Sequence, residues 1–77
     1  MRVQVLGTGC AKCKELTRRT EEVLERLGIT QPVEKVTDLE EILRFGVLMT
    51  PALVIDGVIR VAGRIPSREE IEKLLAA

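Results

Sequence analysis

The predicted order of secondary-structure elements, β-α-β-α-β-β-α, indicates one α/β domain in which helices flank a four-stranded mixed sheet. Three observations lead to this fold class. A strand-helix-strand unit opens the chain, the hairpin signal Asp56-Gly57 lies between two apolar runs, and capping residues precede the last helix. We expect one domain over residues 1–77, because the chain has no linker, internal repeat or low-complexity segment.

The first half of the chain has the pattern of a βαβ unit. Residues 2–6 form a short β-branched run that predicts the first strand. Residues 11–27 have helical spacing, Gly28 is a helix stop, and residues 31–36 predict a second strand. Strands joined in this way are expected to be parallel, with a right-handed crossover. The helix is predicted to place the following residues on one face: Cys13, Leu16, Thr17, Thr20, Val23, Leu24 and Leu27.

A short second helix is predicted after the βαβ unit. Asp38 is followed three residues later by Glu41, which is the spacing of a capping pair. The helix is expected to end near Phe45-Gly46 and to present one face formed by Leu39, Ile42 and Leu43.

The last part of the chain predicts a hairpin and a final helix. Residues 52–55 form a continuous apolar run that suits a strand buried on both faces. Asp56-Gly57 predicts a two-residue turn, and residues 58–62 return as the partner strand, alternating around Arg60. The last helix is predicted from a capping pair and from spaced apolar residues, which are Ser67, Glu70, Ile71, Leu74 and Leu75.

The composition argues against several classes of function. The 12 basic residues balance the 12 acidic ones, and the one aromatic side chain is Phe45, so we expect neither nucleic acid nor a membrane surface as a partner. The chain has no His, the usual general base and the commonest zinc ligand. With no signal-peptide pattern and two cysteines, we expect a reducing, cytoplasmic location, where a dithiol is catalytic or metal-binding.

Both cysteines lie at the predicted start of the first helix, in Gly9-Cys10-Ala11-Lys12-Cys13. Residues three apart on a helix are neighbours, within the Cα separation of roughly 4.4–6.8 Å that a disulfide needs. Cys10 is expected at about the N-cap, where free N–H groups and the helix dipole favour a thiolate, and Lys12 and Lys14 add positive potential. Cys13 lies one turn further and should be less exposed. We therefore expect Cys10 to attack and Cys13 to resolve the mixed disulfide.

The chain resembles the thioredoxin-fold superfamily in three places. They are the Cys10–Cys13 pair after the first strand, Thr50-Pro51 before the third strand, and Gly63 after the fourth. In length and in its motifs it is most similar to the small archaeal and bacterial thioredoxin/glutaredoxin-like proteins, also called redox-active disulfide proteins. The resemblance covers essentially the whole chain and implies a thioredoxin-like fold with a dithiol that exchanges with disulfides.

The resemblance also implies roles for individual residues. Pro51 would follow a cis peptide bond and lie against the disulfide, and the backbone of Thr50 would pair with an extended substrate segment. Substrate contacts are further implied for Gly9 and Gly63. Ala11 and Lys12, between the cysteines, would modulate the dithiol. The implied partners are a disulfide-containing protein or a small disulfide, and a reductase or other thiol reductant; no cofactor is implied.

The sequence departs from the superfamily at several functional positions. Gly9 replaces the aromatic residue that usually precedes the first cysteine, and Ala11-Lys12 replaces Gly-Pro or Pro-Tyr. Gln4 is the polar residue of the first strand, where thioredoxins have a buried carboxylate that assists proton transfer. The residues after Gly63 lack the motif with which glutaredoxins hold glutathione. We therefore expect a specialised or slow dithiol without a strong preference for glutathione.

Two other functions use the same sulfurs. Heavy-metal-associated domains are of similar length and carry Cys-x-x-Cys before their first helix, and two thiolates suit Cu(I), or Zn with ligands from a partner. Those domains follow the order β-α-β-β-α-β and end in a strand, whereas residues 67–76 predict a helix here. A non-enzymatic adaptor with an incidental dithiol is the third possibility. The sequence favours redox chemistry over metal binding, so we do not expect a metal site.

Overall fold

The structure is a computed structural model, and it describes residues 1–76. It contains four strands and three helices in the predicted order β-α-β-α-β-β-α. Their bounds are β1 Val3–Leu6, α1 Ala11–Arg26, β2 Val33–Val36, α2 Leu39–Arg44, β3 Ala52–Ile55, β4 Val58–Ala62 and α3 Arg68–Ala76.

The four strands form one mixed sheet in the order β2-β1-β3-β4. β1 and β2 are parallel, as the βαβ pattern predicts, while β3 runs antiparallel to both β1 and β4. The fold class predicted from the sequence is therefore confirmed. β1 and β3 occupy the centre of the sheet, and every residue of both strands is buried. This position explains the continuous apolar run of β3.

The sheet separates two apolar clusters. The cluster on the side of α1 and α3 consists of Val3, Val5, Leu16, Val23, Leu24, Leu53, Ile55, Val61, Ile71 and Leu75. The cluster on the side of α2 is smaller and consists of Leu6, Val36, Ile42, Val47, Ala52 and Val54. Successive residues of β3 alternate between the two clusters, because neighbouring side chains of a strand point to opposite faces.

The β3–β4 hairpin forms as predicted, but β4 does not alternate along its length. Asp56 and Gly57 both have positive φ, 51° and 80°, as a two-residue type I′ turn requires. Leu53 pairs with Val61 and Val54 pairs with Ile59, which leaves Arg60 as an extra residue. Such a bulge breaks the two-residue period. The strand lies at the sheet edge and buries one residue, Val61.

The predicted face of α2 is wrong in two of its three positions. Ile42 is 2% exposed, whereas Leu39 and Leu43 are 60% and 54% exposed. The helix has six residues and contributes a single side chain to the core, so its other leucines face solvent. Its N-terminus is capped by Asp38, whose carboxylate accepts a hydrogen bond from the backbone N–H of Glu40 at 3.0 Å.

Polar contacts join α1 to the segment that begins α3. The Arg68 guanidinium forms an ion pair with Glu22 at 2.7 Å, and Arg19 donates a hydrogen bond to the carbonyl of Pro66 at 3.1 Å. Ser67 Oγ accepts a hydrogen bond from the N–H of Glu70 at 3.2 Å, as the predicted capping pair requires. Within residues 1–76 no helix combines the length and the apolar character needed to cross a membrane.

Two leucine substitutions test the importance of the central strand. Leu53 is fully buried in the larger cluster, and Leu48 is 91% exposed. We expect Leu53→Ala to lower the free energy of unfolding by about 2–5 kcal/mol, because it removes buried methyl groups and leaves a cavity. Leu48→Ala should change it by less than about 0.5 kcal/mol. Urea unfolding measures both, and equal destabilisation by the two variants would contradict the described core.

Candidate redox site

The site begins at the turn between β1 and α1. The N–H of Gly7 donates a hydrogen bond to the carbonyl of Val36 at 2.9 Å, which extends the β1–β2 pairing by one residue. Gly9 then adopts a positive φ of 91°, a conformation that favours glycine, and Cys10 follows as the N-cap of α1. The Cys10 side chain is exposed, and its sulfur makes no well-formed capping hydrogen bond, although the backbone N–H groups of Lys12 and Cys13 are near enough to stabilise a thiolate.

Cys13 lies one turn into α1 and is 5% exposed. Its Sγ is 2.8 Å from the Sγ of Cys10, so the two thiols are in hydrogen-bonding contact. The Cys13 sulfur also packs against the backbone of Gly7, where an added Cβ atom would collide with it. The absence of a side chain at Gly7 is therefore what allows Cys13 to be buried at the end of β1.

The two thiols have opposite pKa shifts. The pKa of Cys10 is lowered, chiefly by the hydrogen bond from the Cys13 thiol, and also by the backbone N–H groups of Cys13 and Lys12. Burial raises the pKa of Cys13, and its hydrogen bond to Cys10 raises it further. The arrangement therefore favours a thiolate on the exposed sulfur and a thiol on the buried one.

The segment before β3 lies beside this dithiol. The Thr50–Pro51 peptide bond is cis. Leu6 at the end of β1 pairs with Ala52 at the start of β3, so Gly7 and the Thr50-Pro51 segment meet at one edge of the sheet. A Cβ atom added at Gly7 would lie 4.0 Å from the Cβ of Thr50. Thr50 is exposed and Pro51 is buried.

Gly63 lies at the same edge because Ala62, the last residue of β4, pairs with Ala52. The N–H of Gly63 donates a hydrogen bond to the carbonyl of Pro51 at 2.9 Å. Its φ is +83°, and an added Cβ would lie 3.0 Å from the Cε of Met49. The structure thus brings together the residues that the sequence analysis selected, with Ala11 and Lys12 exposed in the first turn of α1.

A cavity that the sequence analysis missed opens on the other side of Cys13. It has a volume of about 120 Å³ and is lined by Val5, Gly7, Gly9, Cys13, Lys14, Thr17, Lys35 and Thr37. The sequence could have indicated it. The βαβ pattern predicts that β1 and β2 are parallel, and the ends of parallel strands lie at the same edge of a sheet. The register places Leu6 beside Val36, so Lys35 and Thr37 flank the end of β1.

No carboxylate lines this cavity in the part of the chain that the structure describes. Gln4 is buried on β1, but it alternates with Val3 and Val5, which pack on the side of α1. Its side chain therefore belongs to the opposite face of the sheet. The residues that line the cavity with Cys13 accordingly include Lys14 and Lys35, and none of them carries a carboxylate that could take the proton of Cys13.

The soft-metal alternative is not supported. The chain ends in the helix α3 and not in a strand, so its order of elements differs from that of heavy-metal-associated domains. Among residues 1–76, no group of three or more Cys, Asp or Glu side chains is placed to hold a metal ion. The comparisons with known proteins agree with the redox interpretation.

Residues 1–76 match the family model described as the thioredoxin domain. A curated protein named thioredoxin from Methanothermobacter thermautotrophicus is 40% identical over 76 residues, which cover 99% of each chain. One of the same name from Methanocaldococcus jannaschii is 41% identical over 73 residues, covering 95% of this chain and 84% of the relative. A probable thioredoxin from the former organism is 34% identical over 65 residues, covering 80% and 75%.

A pair of substitutions at Cys13 tests the cause of the lowered pKa of Cys10. Cys13→Ala removes the hydrogen-bond donor and should raise the pKa of Cys10 toward that of an ordinary thiol. Cys13→Ser keeps a hydroxyl that can donate, so its Cys10 should titrate between the wild-type protein and Cys13→Ala. The pH dependence of the alkylation rate of Cys10 measures all three. An unchanged pKa in Cys13→Ala would contradict the assigned cause.

Proposed function

The chain belongs to the thioredoxin domain family of thiol–disulfide oxidoreductases, and from this premise we propose that its Cys10–Cys13 pair reduces the disulfide of a protein or of a small molecule. The observation that carries the proposal is the asymmetry of the pair. Cys10 is exposed and has a lowered pKa, while Cys13 is buried and has a raised one. An accessible thiolate next to a protected thiol is what a two-step exchange needs.

The first step is attack by the Cys10 thiolate on a sulfur of the substrate disulfide. The substrate S–S bond breaks, a mixed disulfide forms at Cys10, and the released thiolate takes a proton from solvent. The backbone N–H groups of Lys12 and Cys13 and the positive end of the α1 dipole stabilise the attacking thiolate. Ala11 and Lys12 form the turn between the sulfurs, and substitutions there should modulate their reactivity.

The second step is attack by Cys13 on the mixed disulfide. Its sulfur lies 2.8 Å from Cys10 in the dithiol, so little movement is needed for the Cys10–Cys13 bond to form. Cys13 loses a proton, and the second substrate thiol leaves with one, so the dithiol has been oxidised and the disulfide reduced. Without a neighbouring carboxylate, the proton passes to solvent or to the leaving thiolate. Modest rates near neutral pH follow from this arrangement.

The substrate surface is proposed to surround Cys10. Thr50 is exposed beside the dithiol, and its backbone is available to pair with an extended segment of the substrate. Gly63 supports that strand end through its hydrogen bond to Pro51. Gly9 precedes Cys10 without a side chain, which leaves the approach to the sulfur open. These four residues are the proposed substrate contacts.

The reaction leaves the pair oxidised, so a reductase or another thiol reductant must restore the dithiol. No cofactor takes part in the exchange itself, because both electrons come from the two cysteines. The reducing cytoplasm is the proposed location, since a chain with two cysteines in a catalytic pair suits such a compartment.

Single substitutions of the two cysteines test the assignment of roles. We expect Cys10→Ser to abolish reduction of a disulfide-bonded peptide, because the attacking thiolate is lost. Cys13→Ser should still attack, but it should accumulate a mixed disulfide that mass spectrometry detects at Cys10. In the activity assay the peptide carries a fluorophore and a quencher that separate on reduction, and dithiothreitol recycles the protein. The trapping of the mixed disulfide is done without dithiothreitol, which would otherwise cleave it. Retained activity in Cys10→Ser, or a trapped adduct at Cys13 in that variant, would overturn the assignment.

A further inference from the structure

Most of the positive side chains of this protein fall into two groups. Every ion pair within residues 1–76 involves an arginine: Arg2, Arg18, Arg19, Arg44, Arg64 and Arg68. Three of the four lysines, Lys12, Lys14 and Lys35, lie near the dithiol or line the cavity beside it. The dithiol region therefore carries positive charge in a chain whose net charge is zero.

The carboxylates next to the cavity lysines in sequence are already engaged. Glu15, adjacent to Lys14, accepts hydrogen bonds from Arg18 at 2.7 Å and from Arg19 at 2.8 Å. Glu34, adjacent to Lys35, accepts two from Arg2, at 2.8 and 3.0 Å. The pKa values of Glu15 and Glu34 are both lowered by these hydrogen bonds.

The cavity combines this unpaired charge with access to the reacting sulfurs. Lys14 and Lys35 line it and are exposed, and Cys13 also lines it. Gly9, the residue before Cys10, forms part of the same wall. The cavity is open to solvent, and a volume of about 120 Å³ gives room for a small group such as a carboxylate on a short carbon arm.

We propose that the cavity between Lys14 and Lys35 is a binding subsite for the carboxylate of an acidic disulfide substrate. This inference rests on the proposed function and specifies the class of substrate. In the mixed disulfide, the substrate sulfur is bonded to Cys10 while its carboxylate lies between the two ammonium groups beside Cys13. The electron balance is that of the exchange described above: the substrate S–S bond breaks, two substrate thiols leave protonated, and the Cys10–Cys13 bond forms.

Small disulfides of different charge test the subsite. The reduced protein is mixed with 3,3′-dithiodipropionate, which carries carboxylates, or with neutral bis(2-hydroxyethyl) disulfide, and the loss of protein thiols is followed. Rates are divided by those of dithiothreitol with the same compounds, which removes their intrinsic reactivity. We expect the normalised rate ratio to favour the dicarboxylate by roughly two- to fivefold for each lysine, the effect of an exposed ion pair.

Variants of the cavity lysines are compared with a variant of a lysine elsewhere on the surface. Lys14→Gln combined with Lys35→Gln should reduce the ratio of the two rates toward one. Lys73→Gln removes a positive charge on α3, where the side chain lines a different surface with Glu69, Glu72 and Ala76, and it should leave the ratio unchanged. An unchanged ratio in the double variant would overturn the subsite. Reduction of the neutral disulfide tests the proposed function independently of the subsite, because that compound has no carboxylate.

Binding without any reaction gives a second readout. Sodium propionate, titrated at constant ionic strength with sodium chloride, should cause saturable NMR shifts in the amides of Gly7, Gly9, Thr17 and Thr37. The same titration of the double lysine variant should show no saturation. Identical shifts with chloride alone, or no saturable shift in the wild-type protein, would contradict a carboxylate site.

Two disulfide-bonded peptides identify the source of the carboxylate. They differ by a Glu or a Gln next to the cysteine and are otherwise identical. Faster reduction of the Glu peptide, lost in the double lysine variant, assigns the site to acidic side chains of protein substrates. A preference confined to dithiodipropionate assigns it to small acidic disulfides. Absence of a charge preference in both pairs of compounds would overturn the proposal.

Discussion

The close approach of the Cys13 sulfur to the backbone of Gly7 is the contact on which the redox site depends. A residue with a Cβ at position 7 would collide with this sulfur, so the end of β1 and the first turn of α1 could not lie together as they do. The contact buries Cys13 and leaves Cys10 exposed at the helix N-terminus. Burial and hydrogen bonding then move the pKa values of the two thiols in opposite directions.

The strand register assembles the rest of the site around that contact. Leu6 pairs with Val36 on one side and with Ala52 on the other, and Ala52 also pairs with Ala62. Residues that follow β1, β2 and β4 therefore meet the residues that precede β3 at a single edge of the sheet. This places the proposed substrate contacts on one side of the dithiol and the lysine-lined cavity on the other. Both the substrate contacts and the cavity can therefore reach the sulfurs of Cys10 and Cys13, which lie at the start of α1.

Sequence patterns correctly predicted the features that depend only on residues nearby in the chain. The Asp56-Gly57 turn, the start of α1 at the cysteines and the apolar run of β3 all depend on neighbouring residues, and all were predicted. The exposure of Leu39 and Leu43 was not, because it depends on how far the six-residue α2 reaches over the sheet. The bulge at Arg60 depends likewise on pairing with β3, which no periodicity within β4 reveals.

One part of the site, the lysine-lined cavity, could not be predicted from local sequence patterns. Cys10 and Cys13 were evident from their spacing, and Thr50, Pro51 and Gly63 came from a family resemblance. Lys35 is 22 residues from Cys13 in sequence and reads as an ordinary exposed strand residue. Its position beside the dithiol follows only from the parallel β1–β2 register, which pairs Lys35 with Val5.

Alkylation resolved by residue tests the central claim, which is the asymmetry that Gly7 permits. The reduced protein is treated with less than one equivalent of iodoacetamide at pH 7, and peptide mapping locates the label. We expect it on Cys10 in the wild-type protein and in Leu48→Ala, a substitution of a side chain that is 91% exposed. Gly7→Ala should label both cysteines, because Cys13 is displaced. Equal labelling in the wild-type protein, or unchanged selectivity in Gly7→Ala, would contradict the account.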